Sequence, residues 1–381
     1  MNSKNTFLSS VFFFCTDISA IALLKANVQS LSQLLYLVHF VNMPKLKFYL
    51  IVLLTLLVVS ACSFFNPKLP KRDISLVSSN QTSAVEVHLV QHAMGQTLVP
   101  VHPQRVVVIQ RWLVQIPLAL GVKLVGAPGL ALTLQGLGLD NKQLGIEDIG
   151  AAFAPTNLEK IMTLKPDLIL GTVDENRDNY SLLSHIAPTV LVKMPNSGDW
   201  KESFMPAANA LGQTETAKRL IDKYNARIAD FKEKMGSRLK KTQVSVVRLA
   251  PKLIHATTKS SFSGVILEDA GLIRPPSQNL DAKGTKKKEG SPVGYSVSPE
   301  VLSQIDGDVL FLLRYGFKDA SESNSALRQL MAEPLWSKLN VVRHGEIHIV
   351  DEFCWLAGSY LSANRVLDDL FTYLVKEAQR I

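Results

Sequence analysis

The chain has few cysteines, three in 381 residues, at Cys15, Cys62 and Cys354. None forms a CxxC pair or a zinc-ligand spacing, so neither a disulfide framework nor a structural zinc site is expected. There is no HExxH helix, no GxSxG elbow and no paired-carboxylate signature, so nothing argues for a metalloprotease, a serine hydrolase or a glycosidase. His88, His92 and His102 are separated by the Pro100–Pro103 turn. His344 and His348 are separated by Gly345 and lie on a strand pattern, so all five read as structural histidines rather than metal ligands. Charge is only mildly unbalanced at +8. No stripe of basic and aromatic residues suggests nucleic acid. The one dense basic run, Lys286-Lys287-Lys288, sits among Gly284, Gly290 and Pro292 and reads as a solvated loop. The main apolar run, Phe48–Val59, is twelve residues long, well short of the ~20 that span a bilayer.

What surrounds that run is informative. A basic start, Met43-Pro44-Lys45-Leu46-Lys47, precedes it, and Val59-Ser60-Ala61-Cys62 closes it, the arrangement of a secretory signal. The small-small-Cys ending resembles a bacterial lipobox, in which the cysteine carries diacylglycerol and becomes the first mature residue. Lipid chains hold a membrane through ~0.8 kcal/mol per buried methylene. A lipid-anchored protein in the periplasm or on the outer face of the cytoplasmic membrane is therefore expected. Residues 1–42 carry only Lys4, Asp17 and Lys25 as charges and read as an extension upstream of a start at Met43. From Cys62 onward 37 Lys/Arg oppose 32 Asp/Glu, a net +5 over 320 residues. With Cys62 on lipid, Cys354 has no partner and no disulfide is expected.

Residues 62–86, rich in Ser, Asn, Pro and Lys, read as a flexible tether. Beyond them strand and helix signals alternate, which points to an α/β protein. Strands are predicted at 105–110, 124–126, 167–171, 244–249, 308–313 and 346–350. A repeat links two of these regions: NLEKIMTLKPDLILG (157–171) and SPEVLSQIDGDVLFLL (298–313). Aligning Glu159 with Glu300 places Ile161 on Leu302, Leu164 on Ile305 and Asp167 on Asp308, 141 residues apart. Two similarly built lobes follow from it. Between them, Ala217, Leu220, Tyr224, Ile228, Phe231 and Met235 mark one face of a helix. Thr214 is its predicted cap and Gly236 its end, and about 22 residues at 1.5 Å give ~33 Å, a stiff strut. The expected organisation is a signal region (1–61), a tether (62–86), an N-terminal lobe (87–212), a connecting helix (213–239) and a C-terminal lobe (240–381).

Across 88–381 the chain resembles the periplasmic iron-siderophore binding proteins of ABC importers, a group that also holds vitamin B12 and haem binders. The resemblance rests on His92-x-x-Gly95-x-Thr97, His102-Pro103-x-Arg105-Val106-Val107, Gly121-Val122-Lys123-x-Val125-Gly126 and Ile149-Gly150. Asn157-Leu158-Glu159-x-Ile161, Leu164-Lys165-Pro166-Asp167-Leu168-Ile169, Glu268-Asp269-Ala270-Gly271-Leu272, Trp336-x-x-Leu339 and Gly345-Glu346-Ile347-His348 complete it. It implies two Rossmann-like lobes joined by one rigid helix, with the ligand in the cleft between them. The implied protein is a monomeric receptor that hands a ferric siderophore to an inner-membrane permease. It has no catalytic activity and no resident cofactor.

A ferric siderophore is coordinatively saturated, so the protein must offer donors to oxygens and flat apolar faces, which suit arginine forks and aromatic rings. In open α/β sheets these belong beyond strand C-termini. Arg111, Trp112, Phe153 and Arg177 occupy such places in the first lobe. Arg248, Tyr295, Arg314, Tyr315, Trp355 and Tyr360 do so in the second, with Trp355 equally readable as a core plug. Three arginines would suit a trianionic catecholate and the rings a neutral hydroxamate, so the siderophore class stays open. Glu159 and Glu300 either stabilise helix starts or, as the resemblance implies, meet permease arginines. Haem, cobalamin or another iron chelate on the same fold, and an exported lipid-anchored hydrolase, are the competing readings.

Overall fold

The computed structural model describes residues 85–150, 157–250, 253–289, 291–314, 320–356 and 358–376. The signal region, Cys62 and the tether up to residue 84 lie outside them, as do Phe153 and Tyr315. No helix among the described residues is long and apolar enough to cross a membrane.

The chain enters through an antiparallel hairpin, β1 (Val87–His92) and β2 (Gly95–Pro100). His92 pins it. Its Nε2 meets Thr97 Oγ1 at 2.9 Å, and its Nδ1 accepts from Leu191 N at 3.3 Å. This is the structural histidine expected from the sequence.

The first lobe is a parallel sheet. Its strands are β3 (Val106–Val108), β4 (Leu124–Ala127), β5 (Glu147–Asp148), β6 (Leu168–Thr172) and β7 (Thr189–Val192), in the order β5-β4-β3-β6-β7. The order reverses beside β3, so a crevice opens at the carboxyl ends of β3 and β6. β3, β6 and β7 are buried throughout, as expected of parallel strands covered on both faces.

The second lobe is a mixed sheet. It comprises β8 (Val244–Ala250), β9 (Leu253–Thr257), β10 (Gly294–Ser296), β11 (Val309–Arg314) and β12 (Ile347–Val350), in the order β10-β9-β8-β11-β12. β8, β11 and β12 run parallel, while β9 and β10 are antiparallel additions.

The repeat is a true structural equivalence. Asp167, just before β6, accepts from Gln104 N at 2.7 Å and Arg105 N at 2.9 Å, and its own N–H donates to Arg105 O. Asp308, just before β11, accepts from Gln243 N at 2.7 Å and returns its N–H to Gln243 O. In each lobe one aspartate thus fixes the first strand against its parallel neighbour. Ile161 and Leu302 are fully buried at matching places.

The connecting helix runs Thr214–Met235, with Ala217, Tyr224, Ile228, Phe231 and Met235 buried and Leu220 half-buried. Ala217 belongs to the first lobe's core, and Tyr224, Ile228, Phe231 and Met235 to the second's. Both cores therefore pack on one continuous helix. Thr214 is its first residue rather than its cap, which is Gln213. A second tie joins the lobes. Buried Gln115 presents Oε1 to Ser359 Oγ, to Ser362 N at 3.2 Å and to Ser362 Oγ at 2.9 Å, where the closing helix Tyr360–Leu370 begins. Tyr224 also donates to Asp269 Oδ2 at 2.7 Å.

Other sequence expectations need correction. The Lys286–Lys288 run is part of a helix, Ala282–Glu289, rather than a loop. Lys288 Nζ rests 3.6 Å over the Tyr295 ring. Residues 299–305 form a 3-10 helix rather than an α-helix. His344 ends a helix, Asn340–His344, before Gly345 turns the chain into β12.

Candidate functional site

The carboxyl ends of the first lobe's strands face Pro292, Val293 and Leu356 of the second lobe across a cleft of about 370 Å³. After β3, Gln110 accepts from Trp112 N and starts a 3-10 turn, Arg111–Leu113. The turn sets the Trp112 ring on the cleft wall, with the Arg111 guanidinium 3.5 Å above it. After β6 a short helix, Val173–Asn176, presents Asp174 and Glu175 to the cleft. Asn176 holds that turn by accepting from Thr172 N at 3.1 Å. A Cβ on Gly171 would come within 2.7 Å of the same Asn176 oxygen, so only glycine fits beneath it.

After β7, Met194 to Ser197 form the third segment of the wall. Asn196 and Asp199 make a reciprocal capping box there. Behind it, a Cβ on Gly198 would stand 2.3 Å from Ser260 O of the second lobe, so the lobes touch backbone to backbone. Pro292, Val293 and Leu356 close the cleft from that lobe.

Arg111, Arg248 and Glu352 form a group of mutually interacting charges that is not part of the described lining. Arg248, at the end of β8, donates from Nε to Glu352 Oε1 at 2.6 Å. Glu352 opens the turn after β12 and is 3% exposed. Its Oε2 accepts no hydrogen bond from the described residues. Burial raises its pKa above the ordinary carboxylate range, against the pull of Arg248 and Arg111 and with a smaller push from Asp351. Burial brings the Arg111 pKa down to about 10, with Glu175 and Glu352 pulling it up and Arg248 pushing it down. It stays cationic at neutral pH.

The expected site residues divide. Trp112 lines the cleft, Arg111 stacks on its ring, and Arg248 pairs with Glu352 outside the described lining. Arg314 ends β11 and donates to Asn324 Oδ1 at 3.1 Å. Arg177 is exposed, just past the helix that presents Asp174 and Glu175, and does not line the cavity. Two aromatic assignments are corrected. Trp355 is fully buried in the second lobe's core, 4.6 Å from the Phe311 ring, with Nε1 donating to Asp369 at 2.8 Å. It is the core plug of the two sequence readings. Tyr295 lies on β10 and is buried among Val247, Leu302 and Ile305. Tyr360 is half-buried and stacks on Phe204 across the junction of the lobes, away from the cleft lining.

Glu159 and Glu300 are exposed in the first turns of their short helices, one per lobe. Asp174, Glu175, Asn196 and Ser197 also line the cleft, although they are neither arginines nor rings. All of them follow strands, so the same positional rule applied to carboxylates and amides would have found them. Among the described residues no group of three or more His, Cys, Asp or Glu could hold a metal ion.

The family model described as "Periplasmic binding protein" matches residues 147–352. The chain belongs to the periplasmic binding protein family. It is a substrate-binding protein rather than an enzyme, and its place is extracytoplasmic. It is 32% identical over 332 residues to a probable siderophore-binding lipoprotein, YfiY, of Bacillus subtilis, covering 86% of this chain and 97% of that one. It is 28% identical to a putative ABC transporter substrate-binding lipoprotein, YhfQ, of the same organism, over 86% of this chain and 97% of that one. The crystal structure of Staphylococcus aureus SirA complexed with staphyloferrin B superposes with a TM-score of 0.64 at 28% identity, covering 75% of this chain and 98% of SirA. This family's architecture of two lobes and one long connecting helix is the one described above.

Proposed function

We propose that this protein captures a ferric siderophore in the inter-lobe cleft and delivers it to an ABC importer for iron uptake. The observation that carries the reading is a cleft lined by Trp112, Met194, Asn196 and Ser197 of one lobe and by Pro292, Val293 and Leu356 of the other, with the Arg111 guanidinium stacked on the Trp112 ring. Such a wall offers charged donors to chelate oxygens and a flat face to the organic shell. Similarity to a probable siderophore-binding lipoprotein agrees with it.

In the same reading Cys62 carries the lipid anchor, residues 62–86 form the tether, and the lobes comprise 87–212 and 240–381 about a 213–239 connector. The protein acts as a monomer, with Glu159 and Glu300 as its contacts to the permease. Arg314, Arg177, Phe153 and Tyr315 belong to the rim around the cargo.

Tryptophan emission tests the reading, because Trp112 lines the cleft whereas Trp200, Trp336 and Trp355 are buried. Titration with a ferric siderophore is expected to quench emission saturably, and Trp112→Phe to remove most of that quench. Saturation by haem or cobalamin with no response to any ferric siderophore would replace this reading with the alternative ligand class.

A further inference from the structure

We propose that the outer face of the β1–β2 hairpin rests on the lipid bilayer, entering its headgroup region and fixing how the anchored receptor stands on the membrane. This rests on the lipid anchor proposed at Cys62 and not on the identity of the cargo. A hairpin packed on one face normally alternates, apolar inward and polar outward. The inward positions follow that rule: Val90 and Val99 are buried in the first lobe's core, and His92 and Thr97 bond to each other beside them. The outward positions break it. Val87, Leu89 and Leu98 are 50%, 52% and 59% accessible, and Val85, two residues ahead of Val87, is 69% accessible. Leu89 pairs with Leu98 across the strands and Val87 with Pro100, so apolar side chains stand side by side on both strands.

Elsewhere among the described residues the large exposed apolar side chains, such as Leu139, Met162 and Met331, lie singly on different segments. The hairpin also lacks charge. No Lys, Arg, Asp or Glu occurs from Val87 to Pro100. The face therefore has none of the charges that usually keep an exposed strand pair from associating, and none that an apolar contact would have to desolvate.

Chain length points to the bilayer as the occupant. Val85, where the described structure begins, stands 23 positions after Cys62. A coil of that length spans ~25–30 Å, so the anchor presents the bilayer to the hairpin at an effective concentration on the order of millimolar. Apolar contact too weak to recruit a free protein then suffices to orient a tethered one. A second copy of the chain has no such link holding it at this face.

The test places the full lipidated protein in phosphatidylcholine vesicles. Leu89→Cys and Leu98→Cys each take an environment-sensitive fluorophore, the buried Cys354 being shielded from it. Met331→Cys, exposed on the helix Ala320–Ala332 of the second lobe, is the reference. Lipids spin-labelled near the headgroup are expected to quench about half of the emission at positions 89 and 98 and little at 331, because interfacial apolar faces lie about 5–10 Å into that boundary. Should one hairpin variant not fold, its cross-strand partner carries the same reading. Equal quenching at all three positions, or none at 89 and 98, overturns the membrane face and leaves the anchor and siderophore capture intact. A blue shift without quenching that grows with protein density in the vesicle assigns the face to a second copy and overturns the inference equally. Absence of lipid on Cys62 by mass spectrometry overturns the anchor and this inference together.

Discussion

Arg248 and Glu352, 104 residues apart in sequence, meet at 2.6 Å and join β8 to the short helix that follows β12. The carboxylate is almost wholly buried and the guanidinium about a quarter exposed. Removing the arginine strands a negative charge in the interior. Arg248→Met is therefore expected to cost about 2–3 kcal/mol, somewhat under the range for a fully buried pair because Arg248 keeps some solvent. The double variant Arg248→Met/Glu352→Leu is expected to recover most of that loss. Urea denaturation of the two variants measures it. A double variant no more stable than the single one would show that the pair is not coupled.

The raised Glu352 pKa gives the pH dependence a sign. The folded protein holds this proton more tightly than the unfolded chain, whose reference value is 4.5. Glu352 therefore contributes most at low pH, and its contribution falls as pH rises through the raised value. The wild type is expected to gain stability relative to Glu352→Gln as pH falls toward the unfolded reference value. Arg248, Asp351 and Arg111 are the charged groups acting on it. A difference that stays flat with pH would mean that Glu352 does not titrate in this range.

Gln115 accepts three hydrogen bonds from the closing helix through a single buried oxygen. Gln115→Leu removes the acceptor and leaves the Ser359 and Ser362 donors buried without it. A loss of about 2–3 kcal/mol is expected in thermal or urea unfolding. The same change should loosen the lobes, read as faster hydrogen exchange at the start of the closing helix.

Glu159 and Glu300 touch neither the cleft nor the core. Replacing both with Ala is expected to leave siderophore affinity unchanged and to reduce iron uptake by cells. Uptake at the wild-type rate would remove them from the permease contact.

Much of the frame was legible because it follows from periodicity. The 3-4-4-3-4 spacing of the connecting helix, the buried runs of β3, β6, β8 and β11, and the Asp167/Asp308 repeat each map onto an observed element. Of the cleft lining, the sequence pointed only to Trp112, where chemistry and position coincided. Trp355 and Tyr295 failed for one reason: a ring near a strand end looks alike in sequence whether it faces ligand or core. Contacts with Phe311 and Asp369, or with Val247 and Leu302, decide it, and these come from distant segments. Glu352 was passed over because its partner lies 104 residues away, beyond the reach of any local pattern.

The twin cores share one continuous helix and are latched again by Gln115, so the two halves have no slack between them. A receptor of this build is expected to keep nearly the same outline with and without its cargo, which small-angle scattering of the two states would check.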